Sequence, residues 1–301
     1  MQDFNWVITD CLRVLEDLLY DEGTLNLRCQ GNRAGLKSPW RNKTEQQQKK
    51  ERMKMVILAL DELFAEPYAS IVCYPKLTEA ELKKRLKELQ RLGIDTLEFT
   101  GEKRVVNTPV LGKGCIGIVT LAYKNNEKIA LKIRRTDADR ESMLHEAELL
   151  REANSVDVGP KFLDASENFL LMQFVDGELL PKWLEKGASQ TRLKKVLHSV
   201  LEQCWRLDHL GLDHGELSHA PKHVIVDGKD QAFIVDFETA SKNRKPANVT
   251  SICHYLFFSE TASKIAVKSS NRDLAVISAL RQYKKCRNRE NFLIVLESCG
   301  L

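Results

Sequence analysis

Leu111-Gly112-Lys113-Gly114-Cys115-Ile116-Gly117-Ile118-Val119 and, a little further on, Ile129-Ala130-Leu131-Lys132 are the stretches that decide the fold. Three glycines in G-x-G-x-x-G spacing signal by themselves only a loop, because glycine marks turns of every kind. The residues after the glycines separate two readings. A dinucleotide-binding loop runs straight into a helix. Here the next residues are Ile118-Val119-Thr120-Leu121-Ala122-Tyr123, β-branched and extended in pattern, and they predict a strand. Asn125-Asn126 then predicts a hairpin turn, and residues 128–133 the return strand. In a strand–glycine loop–strand arrangement the loop can fold over nucleotide phosphates, and side chains there would hold the backbone away from them.

Lys132 lies among apolar residues of the return strand. An ammonium buried there without a partner would be costly. The expected partner is a glutamate on the next helix, predicted over about 138–153. Glu146 fits best, with Glu141, Glu148 and Glu152 as alternatives. Met172-Gln173-Phe174-Val175-Asp176-Gly177 reads as a strand running into a hinge. His214-Gly215-Glu216-Leu217 and Asp236-Phe237-Glu238 complete an ordered series.

Taken in order and spacing, these motifs resemble the protein-kinase-like superfamily. The compact loop at 214–217 is similar to that of the RIO and KEOPS-complex kinases, and to the archaeal-type predicted serine/threonine kinases. The resemblance covers residues 95–258. It implies an α+β, bilobal fold with a β-rich N-lobe at about 69–174 and a helical C-lobe at about 175–301. Residues 1–68 are expected to form a helical N-terminal extension outside it. The resemblance further implies ATP and Mg²⁺ as cofactors. Gly112, Gly114, Gly117, Val119, Ala130 and Lys132 would surround the nucleotide, with Gln173 and Phe174 at the adenine. Lys132, held by Glu146, would position the α/β-phosphates. Asp236 would bind the metal, and Glu216 would orient or deprotonate the acceptor hydroxyl. The implied activity is that of an atypical serine/threonine protein kinase, acting on a protein hydroxyl or on itself.

Three departures qualify that expectation. The position of the catalytic aspartate holds Glu216, whose extra methylene moves the carboxylate by about 1 Å, a misplacement that matters for rate. Asp213 is a second carboxylate nearby. The family's asparagine, a metal ligand, belongs five residues after the aspartate, where this chain has Pro221. Counting back from the strand at 224–226 puts His223 in that slot and implies a two-residue insertion, Ala220-Pro221. Histidine suits softer metals than Mg²⁺, so His223 is read either as a metal or phosphate contact or as a residue that orders the loop. For His219 the loop-ordering reading is preferred. Lastly, Asp236-Phe237-Glu238 lacks the usual glycine, and no A-P-E element comes after it. The loop at 243–250 is expected to run into a helix capped near Asn248 or Thr250.

The remaining elements frame these motifs. Apolar spacing predicts helices at 4–20 and 53–65, separated by a polar, partly basic stretch at 21–52. Residues 69–74 read as a short strand stopped by Pro75. Thr78-Glu79-Ala80-Glu81 is a capping box opening a helix to about Leu92, closed by Gly93. Charges on that helix, such as Glu81, Lys83, Lys84 and Lys87, read as a solvated face. A long helix is expected at 190–210, strands at 224–226 and 232–235, and helices from 247–258 and from 271 onward.

The 301 residues are 43% hydrophobic and 29% charged with a net charge of +4, an ordinary balance that permits an acidic partner without requiring one. Eight scattered cysteines lack any C-x-x-C pair, which argues against a zinc site or disulfide framework. No apolar run approaches membrane-spanning length, and the N-terminus lacks signal-peptide features, so a cytoplasmic protein is expected. Rival readings are a pseudokinase or ATPase acting as a nucleotide-dependent binding module, and a small-molecule phosphotransferase. An RNA or ribonucleoprotein partner is suggested by basic runs at 49–54 and 281–288, although such runs commonly serve as solvated surface.

Overall fold

Pairing of the hairpin that carries the glycine loop organises the sheet. In the computed structural model, which describes residues 55–259, 261 and 270–301, strands β6 (Gly117–Lys124) and β7 (Glu127–Arg134) pair antiparallel from Gly117↔Arg134 to Lys124↔Glu127. Asn125 and Asn126 both take left-handed φ, at 52° and 64°, as a two-residue hairpin turn requires. Around this hairpin the described residues form a seven-stranded antiparallel sheet. Its main order runs β1 (Val56–Ala59), β2 (Thr96–Phe99), β6, β7, β9 (Phe169–Gln173), β8 (Phe162–Ala165), with β5 (Gly112–Lys113) pairing β6. A separate hairpin joins β3 (Lys103–Val105) to β4 (Thr108–Val110).

Two expectations upstream are corrected. Residues 53–65 do not form a single helix where described: β1 pairs with β2, and a short 3-10 helix, Leu60–Phe64, comes next. Residues 69–74 are not a strand; helix α1 (Tyr68–Val72) buries Ala69, Ile71 and Val72. Both runs are short and apolar, and in such runs periodicity does not distinguish strand from helix. Sheet structure thus starts at Val56, inside the stretch assigned to a helical extension. The helix of 4–20, the stretch 21–52 and the basic run of 49–54 lie outside the described residues.

Helix α2 (Glu79–Arg91) begins at the expected cap, where Thr78 Oγ1 accepts from Glu81 N at 3.2 Å. It ends before Gly93, whose φ is +71°. Its charges are not all solvated. Arg85 is fully buried and donates to Val72 O, Arg134 O, Asn168 Oδ1 and the Glu81 carboxylate. Glu88, also buried, accepts from Ser166 Oγ and from Asn168 N and Nδ2. This polar network ties α2 to the turn before β9.

Past β9 the chain becomes mostly helical, and a further helix precedes it. Helix α3 (Leu144–Asn154) crosses between β7 and β8 and starts later than the expected 138. A three-stranded sheet, β10 (Gly177–Leu179), β11 (Val224–Asp227) and β12 (Ala232–Ile234), is set among α4 (Leu180–Glu185), α5 (Gln190–Leu210), α6 (Asn248–Phe258), α7 (Ser270–Lys285) and α8 (Arg289–Ser298). Two hydrophobic cores result. One lies under the large sheet around Leu97, Phe99, Leu131 and Phe169. The other lies among the helices around Val196, Leu201, Phe237 and Ile252, and takes in α3. This is the α+β, two-lobed architecture that the motifs imply.

Candidate functional site

Strand alternation sorts the residues of β7. Ile129, Leu131 and Ile133 enter the upper core, so Ala130 and Lys132 face the other side. Val119 lies directly opposite Lys132 and Met172 opposite Ala130, so these share that face. The glycine loop folds over the same end of the sheet. Gly114 N donates to Gly117 O at 2.8 Å, and Arg135 Nη1 donates to Gly114 O at 3.1 Å. A Cβ on Gly117 would stand 3.0 Å from Ile133 O and 3.1 Å from Lys132 Cγ. A side chain at 117 would therefore press on the β7 backbone and on the lysine stem. Gln173 and Phe174 stand apart from the lysine. Gln173 is tied to Lys161 through both its N–H and its side chain, and Phe174 packs under the Lys128 ammonium, 5.7 Å from its ring centre.

Lys132 Nζ lies 2.8 Å from Glu146 Oε1, 2.8 Å from Asp236 Oδ1 and 2.8 Å from Glu238 Oε2. Of the four glutamates considered, Glu146 is thus the partner; Glu148 and Glu152 share its helix, and Glu141 lies before it. Lys132 and Glu146 are both 4% exposed, while the Asp236 side chain retains 36%. Burial opposes the charge on Lys132, but the three carboxylates outweigh it and hold its pKa above the usual lysine range. For Glu146 burial dominates and raises its pKa despite the lysine. For Asp236 burial also pushes upward, but Lys132 overcomes it and the pKa falls below the usual value. One Glu146 oxygen, Oε2, is buried without a hydrogen-bond partner. Glu238 is a member that sequence reasoning missed. Nothing in Asp236-Phe237-Glu238 signalled it, because strand alternation does not apply where the chain leaves the extended conformation. Asp236 itself takes φ +70°, a left-handed conformation that aspartate tolerates better than most residues.

A second set of contacts straps the loop at 213–223 to the Asp236 segment. Asp213 and Ser241 exchange backbone hydrogen bonds, Val235 N donates to His223 O, and Thr239 Oγ1 donates to His214 O. His214 is buried, with Nε2 3.1 Å from Val235 O and its ring 5.1 Å from that of Phe237. Burial, with His223 nearby, lowers its pKa to about 4. Gly215 has φ +92°, and a Cβ there would meet Arg244 Nη2 at 2.5 Å. Glu216 Oε2 lies 2.9 Å from His223 Nε2. Asp213, the alternative carboxylate, is occupied by Arg244 Nε at 2.9 Å and by Ala247 N. His219 is exposed and meets Ser218 Oγ.

The prop beneath this loop was not legible in advance. Asn248 does not cap α6 through its side chain. It turns inward, accepting from His214 N and donating to Leu212 O and Asp208 Oδ1. Asp208 on α5 also accepts from Val249 N and Tyr283 Oη. Burial raises its pKa in spite of these donors.

Among the described residues, Glu146, Asp236 and Glu238 bring carboxylate oxygens within 4.8 Å of one another. All-oxygen donors suit Mg²⁺, and the partly exposed Asp236 is the member open to a ligand. His223, the other metal candidate from the sequence, instead turns its Nε2 to Glu216.

No protein-family model matches the chain, but individual relatives do. An uncharacterized protein of Methanocaldococcus jannaschii, MJ1211, is 29% identical over 114 residues, 38% of this chain and 96% of that protein. KEOPS complex subunit Bud32 of Pyrococcus abyssi is 30% identical over 116 residues, covering 38% of this chain and 49% of Bud32. The serine/threonine-protein kinase YabT of Bacillus subtilis is 30% identical over 129 residues, 39% of this chain and 37% of YabT. The chain therefore spans half or less of the length of Bud32 and YabT. Relatives of this kind, together with an antiparallel sheet over a helical lobe, support a protein-kinase-like superfamily for the chain.

Proposed function

We propose that the chain binds ATP with Mg²⁺ and transfers the γ-phosphoryl group to a serine or threonine hydroxyl of a protein, its own included. The observation that carries this reading is the convergence on Lys132 of Glu146 from α3 and Asp236 from the segment after β12. A lysine so held can donate to the α/β-phosphates once Asp236 releases it. The loop 112–117, with Val119 and Ala130, would cover the nucleotide, and Gln173 and Phe174 would border the adenine. Asp236, with Glu238 and Glu146 nearby, would hold Mg²⁺, which when bound neutralises charge on the transferred phosphoryl. Glu216 would face the acceptor hydroxyl. Proteins that are candidates as partners are suggested by Bud32, named as a subunit of a complex. No helix among the described residues is long and apolar enough to cross a membrane, and a cytoplasmic location is part of the proposal. So is the division into an N-terminal extension and a kinase-like domain with lobes meeting near residue 174.

One observation favours a second reading, a nucleotide-dependent binding module without transfer: Lys132 already has three carboxylate partners. Incubation with γ-labelled ATP and Mg²⁺ separates the two. Labelled protein that disappears in Lys132→Ala, Glu216→Ala and Asp236→Ala supports the kinase. Binding without turnover supports the module, and release of free phosphate alone supports an ATPase. Label appearing only on an added sugar or aminoglycoside supports a small-molecule phosphotransferase.

A further inference from the structure

The stretch between Glu216 and β11 does not form a regular turn. Leu217–Lys222 is a 3-10 segment broken by non-helical backbone at His219 and Ala220, with Pro221 inside it. Its effect is to return His223 beneath Glu216. The His223 backbone is fixed at both ends, its N–H donating to Ala220 O at 3.2 Å and its carbonyl accepting from Val235 N at 3.0 Å. The ring is 5% exposed and packs edge-on against His214 at 5.4 Å. Neither backbone nor ring has freedom to turn away. Nε2 meets Glu216 Oε2 at 2.9 Å, while Nδ1 is buried with no partner. A carboxylate accepts only, so Nε2 carries a proton in this contact.

We propose that His223 is a positioning residue for Glu216, and that the two act as one unit in place of a shorter carboxylate. The proposal rests on the phosphotransferase reading above. A glutamate has one more rotatable bond than an aspartate. A buried donor that takes Oε2 removes that freedom and leaves Oε1 to face an acceptor, the side chain being 39% exposed. In the transfer, Glu216 Oε1 takes the proton of the acceptor hydroxyl. The acceptor oxygen forms the new bond to the γ-phosphorus, and the bond to the bridging oxygen breaks with its electron pair leaving on ADP. The inserted Ala220-Pro221 then has a purpose: it delivers a histidine to the carboxylate rather than an asparagine to the metal.

The test measures kcat and the KM for ATP of the full chain, with γ-labelled ATP and Mg²⁺, on whichever acceptor the wild type labels. His223→Ala is expected to lower kcat on the order of 100-fold, the scale of a small misplacement of a reacting group, with KM for ATP unchanged. Combining it with Glu216→Gln should give no further loss, because residues acting as a unit are non-additive. His223→Gln, which keeps an N–H donor near the Nε2 position, should recover most of the lost kcat and shows that any loss is not one of folding. The inference is overturned if His223→Ala keeps the wild-type kcat, if the double variant multiplies the losses, or if His223→Gln is no better than alanine. A raised KM for ATP in His223→Ala would instead mark a phosphate or metal contact and overturn it as well. Wild-type protein that binds Mg²⁺·ATP yet labels no acceptor defeats the phosphotransferase reading itself, and this one with it.

Discussion

Two buried charged clusters sit close together on the upper sheet and are built on opposite principles. Around Arg85, two cations (Arg85 and Arg134) meet two carboxylates (Glu81 and Glu88), with Asn168 bridging them. Around Lys132, one ammonium meets three carboxylates. The first cluster is balanced, and backbone carbonyls of Val72 and Arg134 take the remaining Arg85 donors. The second carries excess negative charge and a buried Glu146 oxygen without a partner. A balanced network stabilises one arrangement and gains nothing from a ligand. An unbalanced one with a half-open member, Asp236, is improved by an added cation. This contrast, rather than burial alone, separates scaffold from site.

Breaking the balanced cluster should have the largest effect on stability. Arg85→Met strands Glu81 and two backbone carbonyls, and the expected loss is about 3–5 kcal/mol in urea denaturation, with ATP affinity of the folded protein preserved. Lys132→Met should lose less stability than Arg85→Met while abolishing ATP binding. Asp236 can turn toward water, and Glu146, whose pKa burial already raises, can take up a proton. An equal or larger stability loss in Lys132→Met would erase the distinction.

Next in size is a pH effect on the strap beneath the site. The His214 pKa falls from 6.5 unfolded to about 4 folded, so the unfolded chain binds the extra proton between those values. Stability should be fully present above pH 6.5 and decline as pH falls toward 4, by about 3 kcal/mol at most. Urea midpoints measured across that window should flatten in His214→Phe. An unchanged slope would remove His214 as the cause.

The smallest expected change is also the most discriminating. Glu238→Gln removes one carboxylate from the unbalanced cluster and should alter stability by less than about 1 kcal/mol, whereas Glu88→Gln in the balanced one should cost about 1–3 kcal/mol. Calorimetric titration of Mg²⁺·ATP should at the same time show weaker binding in Glu238→Gln. A stability loss from Glu238→Gln matching that from Glu88→Gln would mean that both clusters are scaffold.

Much of this molecule is written in short-range signals. Asn125-Asn126 specified its hairpin because two adjacent left-handed residues are a local requirement. Thr78 specified its helix start, and the apolar flanks of Lys132 announced a buried ammonium. Those signals, taken in order, were enough for the two-lobed architecture and for the pairing of Lys132 with Glu146, 14 residues away. Tertiary structure alone decided the rest. It made residues 56–59 a strand, because β2 offers them an edge. It buried Arg85 in a helix face that reads as solvated, and brought Asp236 and Glu238 to Lys132 across 104 and 106 residues of chain. Periodicity and turn chemistry act over a few residues. The partners of a buried charge that lie far along the chain are chosen by the packing of whole elements, and no local pattern carries that choice.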